Sequence, residues 1–151
     1  MNPETLFLIL NNLVAIVWIL MIFAPKWKVT QVIISTFSVV LILSVTYSIL
    51  IISSFGKLDF MDFTSLQGIM NLLQHSDAWG SSALWYHFLA FDLFVGTWIL
   101  KDAQKLSIPH LLIIPCLFFT FMLGPLGFVL YQLVKFLHSK FGKNKQNIAS
   151  S

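Results

Sequence analysis

The sequence predicts an all-α polytopic membrane protein, a bundle of four transmembrane helices with a short interfacial helix between spans 2 and 3. Two observations lead to this prediction. Hydrophobic residues make up 58% of the 151 residues and charged residues only 10%, whereas soluble domains carry about 25% charged residues. The apolar residues are also gathered into segments of about 20, the length that crosses a bilayer core of about 30 Å.

The first three predicted spans each have the length of one crossing. The first extends from about Leu6 to Phe23 and is followed by Pro25, which cannot continue a helix. The second extends from about Val29 to Ile52, and its serine and threonine side chains can bond to backbone carbonyls. The third extends from about Ser82 to Leu100.

The fourth apolar segment, from about Ile108 to Leu137, is too long for one straight span. Pro115 and the Gly124-Pro125-Leu126-Gly127 sequence are expected to kink or break it. The polar residues that follow are expected to be disordered. The sequence therefore predicts a single four-span domain at residues 1–139 and a tail at residues 140–151.

The longest connection between spans, residues 53–81, contains apolar residues at helical spacing, namely Leu66, Ile69, Met70 and Leu73. Spacings of three and four residues indicate an amphipathic helix that lies on the membrane surface. Asp62 or Ser65 is expected to cap its start. A plain connector helix is the alternative.

The N-terminus predicts a retained first span, because Glu4 stands where a secretory signal would have basic residues. The protein is therefore expected in the cell membrane as a multi-pass protein, with a bacterial inner membrane favoured. The positive-inside rule does not decide its orientation, because one predicted side holds four lysines (26, 28, 101 and 105) and the other five (57, 135, 140, 143 and 145). The basic tail favours both termini in the cytoplasm.

The third span contains two ionisable residues, His87 and Asp92, among apolar ones. An aspartate at a helix centre costs about 2.5–3.5 kcal/mol on insertion scales, and such residues are usually functional. At about 100° per residue, the two side chains lie about 140° apart around the helix and about 7.5 Å apart along it. They cannot form a direct dyad, so cooperation between them requires a ligand, a water chain or another helix.

Both ionisable residues also have a structural interpretation. Asp92 could pair with a polar side chain of another span, and the amide of Asn11 or Asn12 in the first span is a candidate. His87 lies near the end of its span, where an interfacial or hydrogen-bonded histidine is common. These alternatives stay open at the level of the sequence.

Two helical faces predict ligand contact. The face of Asp92 also carries three predicted substrate-binding residues, Trp85, Phe88 and Gly96. On the fourth segment, one face with His110 carries four more at i, i+4, i+7 and i+11, namely Thr120, Gly124, Gly127 and Tyr131. Small residues at this spacing admit either a flat ligand or another helix backbone. Close helix packing is therefore the alternative.

Composition excludes several classes of site. Cys116 is the only cysteine, so an internal disulfide or a thiolate cluster is excluded. The four histidines lack the clustered spacing of a metal site, and neither a metal nor a cofactor is predicted. Every basic residue is a lysine, and no nucleic-acid partner is predicted. Asp102 and His110 flank the third connection and are either a second titratable pair or solvated residues.

The sequence resembles a known membrane-protein family in several segments, which are His87-Phe88-Leu89-Ala90-Phe91-Asp92-Leu93-Phe94-Val95-Gly96, Lys101-Asp102-Ala103, Ile108-Pro109-His110, Pro115-Cys116-Leu117, Thr120, Gly124-Pro125-Leu126-Gly127 and Tyr131. On these residues the chain is similar to the abscisic-acid-deficiency family typified by plant neoxanthin synthase. It resembles a bacterial-type member of that family, since the plastid-targeting segment of the plant proteins is missing.

The resemblance implies a chemistry. The plant activity is the isomerisation of the epoxy-carotenoid violaxanthin to the allenic neoxanthin, and it needs no redox cofactor. Opening an epoxide towards an allene requires an acid at the oxygen and a base at a carbon-bound proton. Asp92 is expected to be one of these groups, with His87 or His110 as its complement. A cell without violaxanthin would use another carotenoid or a polyisoprenoid.

Three classes of function remain open. The first is an isomerase of a carotenoid or related polyisoprenoid, and the second is a non-enzymatic carotenoid-binding or assembly protein in which Asp92 only ties helices together. The third is a small oligomeric transporter with Asp92 as a proton or cation site. The expected partners are the lipid bilayer and an apolar polyene ligand, and a homo-oligomer is compatible with all three classes.

Overall fold

The computed structural model describes residues 2–54 and 60–149, with the side chains of residues 2–54 and 61–140. The helices are α1 (Pro3–Phe23), α2 (Lys28–Thr36), α3 (Ser38–Ser53), a short 3-10 helix (Phe60–Thr64), α4 (Leu66–His75), α5 (Ala78–Lys105), α6 (His110–Leu123) and α7 (Pro125–Ala149). These residues contain no strand, so the predicted all-α class is confirmed. The predicted division at residues 139 and 140 stays a prediction.

Polar side chains cap three of the helices at their first turn. Asn2, Ser65 and Asp77 each accept a hydrogen bond from the backbone N–H three residues later, at 2.8, 3.0 and 2.7 Å. These bonds satisfy N–H groups that have no partner within the helix. The short helix predicted between spans 2 and 3 is thus confirmed as α4, and of its two predicted caps Ser65 is the one used.

Two helices, α1 and α5, are long and apolar enough to cross a membrane. A third crossing is formed if α2 and α3 count as one span, since they are bent by 41° at Phe37, a residue with the left-handed φ of 52°. The described residues therefore hold two or three candidate crossings, and a bundle of four spans is not confirmed. The fourth predicted segment is instead divided between α6 and α7.

Large apolar side chains are exposed on every helix, among them Leu8, Val32, Val45, Leu73, Phe91, Leu111 and Val129. A protein in water rarely exposes apolar surface over its whole circumference. Lipid is the solvent that accommodates such a surface. The apolar helices and their exposed side chains thus indicate a membrane protein.

The centre of the bundle is α5, which packs against α1, α3, α6 and α7. Its inward side chains Leu93 and Ile99 are buried in one core with Trp18, Leu117 and Tyr131 of the surrounding helices. Because four helices pack against α5, a polar side chain on one of its buried faces meets another helix rather than lipid.

α1 and α5 run antiparallel. Pro3 lines the same cavity as Ala78 at one end, and Pro25 lines the same cavity as Gln104 at the other. The second end is called the lysine end because it holds Lys26, Lys28, Lys101 and Lys105. Asp92 lies near the midpoint of α5, about 20 Å from each of its ends.

The chain reverses direction at Gly124. This residue has φ 48° and ψ −97°, a conformation that glycine adopts and residues with a side chain rarely do. In a continuous helix Gly127 would lie about 10 Å along the axis from Thr120, yet a Cβ added to Gly127 would overlap Thr120 and the carbonyl oxygen of Cys116. α6 and α7 therefore form a tight helical hairpin. α6 continues through Pro115, so the predicted break falls at the glycine and not at this proline.

α7 returns along α5 towards the lysine end. A Cβ on Gly124 would lie 2.6 Å from Oδ1 of Asp92. Further along α5, the ring of Trp98 packs on those of Phe128 and Tyr131. The residue numbers of the contacting pairs increase together along α5 and α7. The two helices are therefore parallel, and α7 is antiparallel to α6. The hairpin thus enters from the lysine end, turns at the depth of Asp92 and leaves by the same end.

Candidate functional site

The candidate site is the carboxylate of Asp92 where it meets the turn of the α6–α7 hairpin. Oδ1 approaches the Cα of Gly124 so closely that any Cβ there would lie 2.6 Å from it. The side chain is half-buried. No described residue gives it a hydrogen bond or an ion pair. An unpaired carboxylate thus lies midway along a candidate membrane-crossing helix.

The residues around Asp92 on its helical face differ in what covers them. Gly96, one turn later, lies under the ring of Trp18, and a Cβ there would overlap that ring. Phe88, one turn earlier, is exposed. Trp85, a further turn away, is also exposed, and its indole N–H donates to the side-chain oxygen of Asn11 at 3.2 Å. The side of the site that is open to lipid is therefore aromatic.

His87 lies on another side of α5. Its ring packs 5.3 Å from that of Tyr47 on α3 and 4.8 Å from that of Phe91. Asp92 faces the hairpin turn instead. The structure thus separates the two ionisable residues, in agreement with the helical geometry.

His110 is the first residue of α6, at the lysine end. Its Nε2 lies 2.8 Å from the carbonyl oxygen of Ile22 at the end of α1. Gly124, which touches Asp92, follows at the other end of the 14-residue helix, about 20 Å away. His110 is therefore not part of the group around Asp92, and its role as a catalytic complement stays a prediction.

The small residues of the hairpin are packed against protein atoms. Gly127 lies against Thr120, whose hydroxyl donates to the carbonyl oxygen of Cys116 at 2.8 Å. Gly124 lies against Asp92, as Gly96 lies against Trp18. The glycines thus permit close approach of helices, which is the packing alternative of the sequence analysis. Ligand contact at these positions stays a prediction.

Comparison with known proteins gives one match. A family model named ABA4-like, described as ABA DEFICIENT 4-like, matches residues 5–131, which is most of the chain and includes both Asp92 and the hairpin turn. The chain belongs to the ABA4-like family. The family predicted from the sequence motifs is thereby confirmed. Neither a curated protein nor a solved structure matches the chain.

The match to the ABA4-like family ends at Tyr131, a fully buried residue with a specific role in the structure. Its hydroxyl donates to Oδ2 of Asp102 at 2.5 Å. The ammonium of Lys135 forms an ion pair with the same oxygen at 2.7 Å. Two groups of α7 therefore bind one carboxylate of α5, and they anchor the returning helix of the hairpin.

This carboxylate cluster was missed by the sequence analysis. Asp102 is bound by Tyr131 and Lys135 rather than by His110, whose Nε2 is directed to Ile22 instead. A signal was present, since Tyr131 and Lys135 are four residues apart and lie on one helical face. The carboxylate that they would bind could not be identified without the direction of α7.

The described residues contain no group of three or more histidine, cysteine or acidic side chains that could hold a metal ion. The three predicted catalytic residues instead lie apart from one another, with Asp92 at mid-helix, His87 against α3 and His110 at the lysine end. An arrangement of this kind suits proton transfer to a ligand that reaches Asp92, and it suits ion passage equally.

Proposed function

We propose that this protein is a membrane isomerase, resembling neoxanthin synthase, that acts on a carotenoid or related polyisoprenoid by acid/base proton transfer without a cofactor. Membership of the ABA4-like family fits a neoxanthin-synthase-like protein. The observation that carries the proposal is the unpaired carboxylate of Asp92, midway along α5 and against Gly124. A carboxylate held at that depth without a partner is available to a substrate.

Access from the lipid phase supports an apolar substrate. Phe88 and Phe91, which flank Asp92 on the lipid side, are 50% and 58% exposed. A polyene dissolved in the bilayer can lie along these rings and bring a polar ring-end group to the carboxylate. Water-soluble substrates would have to cross about 20 Å of α5 to reach the same point.

The proposed reaction balances without an external reagent. A base removes a carbon-bound proton, the electron pair forms the new double bond of the allene, and the epoxide C–O bond breaks as its oxygen receives a proton. Composition and oxidation state are unchanged, so no redox group takes part. Asp92 is the acid or the base in this scheme, and positioned groups of this kind contribute about 10²–10⁴-fold to rates.

The second proton-transfer group is expected to be His87 rather than His110. His87 is five residues before Asp92 on the same helix, about 7.5 Å along the axis, whereas His110 lies at the far end of α6. Because His87 faces α3, the ligand or a water molecule must bridge the two residues. The protein is proposed to carry out this reaction in the cell membrane, as a monomer or homo-oligomer.

The test is conversion of violaxanthin in bacterial cells that accumulate this pigment. Chromatography should show a product of unchanged mass in cells with the wild-type protein. Asp92→Asn should abolish the product while the protein still accumulates, and Glu4→Gln, which changes an exposed carboxylate outside the site, should leave conversion intact. An unchanged product in Asp92→Asn would refute the assignment.

The same variants separate the other two functions. A carotenoid-binding protein would purify with an unconverted pigment, and Asp92→Asn would reduce the amount of protein or of bound pigment. A transporter is favoured by the hairpin turn at Asp92, since broken helices at mid-membrane often form ion sites. It would give a flux that depends on the proton gradient, is lost in Asp92→Asn and leaves pigments unchanged.

A further inference from the structure

A cavity of about 420 Å³ lies at the lysine end, between the turn that joins α1 to α2 and the connection that joins α5 to α6. Its volume is within the range of about 300–1,000 Å³ that is typical of ligand pockets. The walls are apolar on the side of the bundle and include Leu100, Ala103 and Ile113. The rim is polar and includes Lys26, Gln104 and His110.

The rim supplies cationic and hydrogen-bonding groups and no carboxylate. Lys26 is exposed and presents an ammonium group. The side-chain oxygen of Gln104 lies 3.4 Å from Nε2 of Gln31, which leaves the amide N–H₂ of Gln104 for another acceptor. His110 directs Nε2 towards the carbonyl oxygen of Ile22, so its Nδ1 donates to an anion only when the imidazole is doubly protonated. These groups together suit an anion that accepts several hydrogen bonds.

The positive charge of the lysine end as a whole is raised by the course of the hairpin. Because α7 returns to the lysine end, it brings Lys135 and Lys140 to the side that already holds Lys26, Lys28, Lys101 and Lys105, and Lys143 and Lys145 follow in the same helix. Eight of the nine lysines in the sequence thus belong to this end. The ninth, Lys57, falls outside the described residues.

This distribution favours an orientation that differs from the one that the basic tail favoured at the level of the sequence. With eight lysines at one end, the positive-inside rule places the lysine end in the cytoplasm and the start of α1 on the opposite side. The cytoplasmic leaflet is the one that presents anionic phospholipids to basic segments. The cavity lies at the ends of α1 and α5, where this orientation places the lipid headgroups.

We propose that this cavity binds the phosphate group of an anionic phospholipid. The phosphate lies at the rim, between Lys26, the amide of Gln104 and the imidazole of His110, and the glycerol and first acyl carbons lie against the apolar wall. Free phosphate shares the anionic chemistry but cannot use that wall. The proposal is independent of the proposed isomerase activity, because Asp92 lies about 20 Å from the lysine end.

The test is binding of phosphatidylglycerol to the purified protein in a neutral detergent, measured by native mass spectrometry. Phosphatidylglycerol should bind more tightly than phosphatidylcholine, and Lys26→Gln should weaken its binding about fivefold, as expected for one lysine near an anionic lipid. Lys140→Gln removes the same charge at the same end but away from the cavity, and should have little effect.

A second pair of variants introduces a negative charge. Gln104→Glu should weaken phosphatidylglycerol binding more than Lys26→Gln, because it places a carboxylate at the rim, whereas Gln132→Glu on the exposed surface of α7 should not. Equal effects of Lys26→Gln and Lys140→Gln would overturn the proposal in favour of general surface charge. Displacement of the lipid by millimolar inorganic phosphate would overturn the lipid as the occupant.

Discussion

Asp92 and Gly124 meet near the midpoint of α5, where the carboxylate lies against the backbone of the turn between α6 and α7. Asp92 is the single ionisable side chain at that depth of α5. Gly124 is the only glycine with a positive φ among the described residues. The glycine is required twice, once for its backbone conformation and once for the space that a Cβ would take from the carboxylate.

Gly124→Ala is expected to destabilise the protein by about 1–3 kcal/mol from backbone strain, with a further cost from the clash with Oδ1 of Asp92. The measurement is the free energy of unfolding in detergent by denaturant titration. In an Asp92→Ala background the clash is absent, so Gly124→Ala should cost less there. Strictly additive costs would show that the two residues do not touch.

Tyr131→Phe is expected to lower the free energy of unfolding by about 1.5–3 kcal/mol, because it removes a buried hydrogen bond to a charged carboxylate. The ion pair of Asp102 with Lys135 remains in this variant. Tyr47→Phe is the matched control, since Tyr47 is a half-buried tyrosine whose ring packs on His87. If both variants lose the same small amount, the bond of Tyr131 does not anchor α7.

The hairpin predicts that the two termini lie on opposite sides of the membrane. In a Cys116→Ser background, Thr5→Cys at the start of α1 should react with a membrane-impermeant maleimide on intact cells. Ser139→Cys on α7 should react only after the cells are permeabilised. Both positions are exposed, so a difference in reactivity reports their side.

Four full crossings would give a different labelling pattern. In that case both cysteines would lie on the same side, and intact cells would either label both or protect both. Ser65 caps the start of α4, on the side of the bundle opposite the lysine end. Ser65→Cys therefore provides an internal reference, because it should react like Thr5→Cys in either topology.

The two histidines should differ in their effect on isomerisation. If His87 is the complement of Asp92, His87→Gln should lower the rate of violaxanthin conversion by about 10²–10⁴-fold. His110→Gln should change it little, since His110 lies at the lysine end. The measurement is the initial rate of product formation in membranes with equal amounts of protein. A loss confined to His110→Gln would reverse the assignment.

The positions of the long helices could be predicted because their signals are local. Hydrophobic length and Pro25 bounded α1, and spacing with a serine cap located α4. The bend at Phe37 gave no such signal, because a phenylalanine with a left-handed φ is held there by tertiary contacts. Its ring stacks on Phe94 and lies under the ammonium of Lys101 at 4.8 Å.

The candidate site could be predicted only in part. Asp92 was found because an ionisable residue in an apolar run is conspicuous at the level of sequence. Gly124, which contacts Asp92, was expected to break or kink the fourth apolar segment. The direction that the chain takes after Gly124 could not be predicted. An apolar segment of about 30 residues has the same pattern whether the chain crosses the membrane or turns back within it. Tertiary contacts distinguish the two cases, among them that of Gly127 with Thr120.

The depth of the hairpin turn also affects how the protein is assembled during synthesis. A segment is released into the bilayer as a crossing when its apolar length reaches about 20 residues, and α6 has only 14. Its far end must therefore be held at mid-membrane by protein, because lipid cannot satisfy an exposed helix terminus. α6 packs against α1 and α5, so we expect these two helices to be inserted before the hairpin docks. The site at Asp92 is then expected to be completed last.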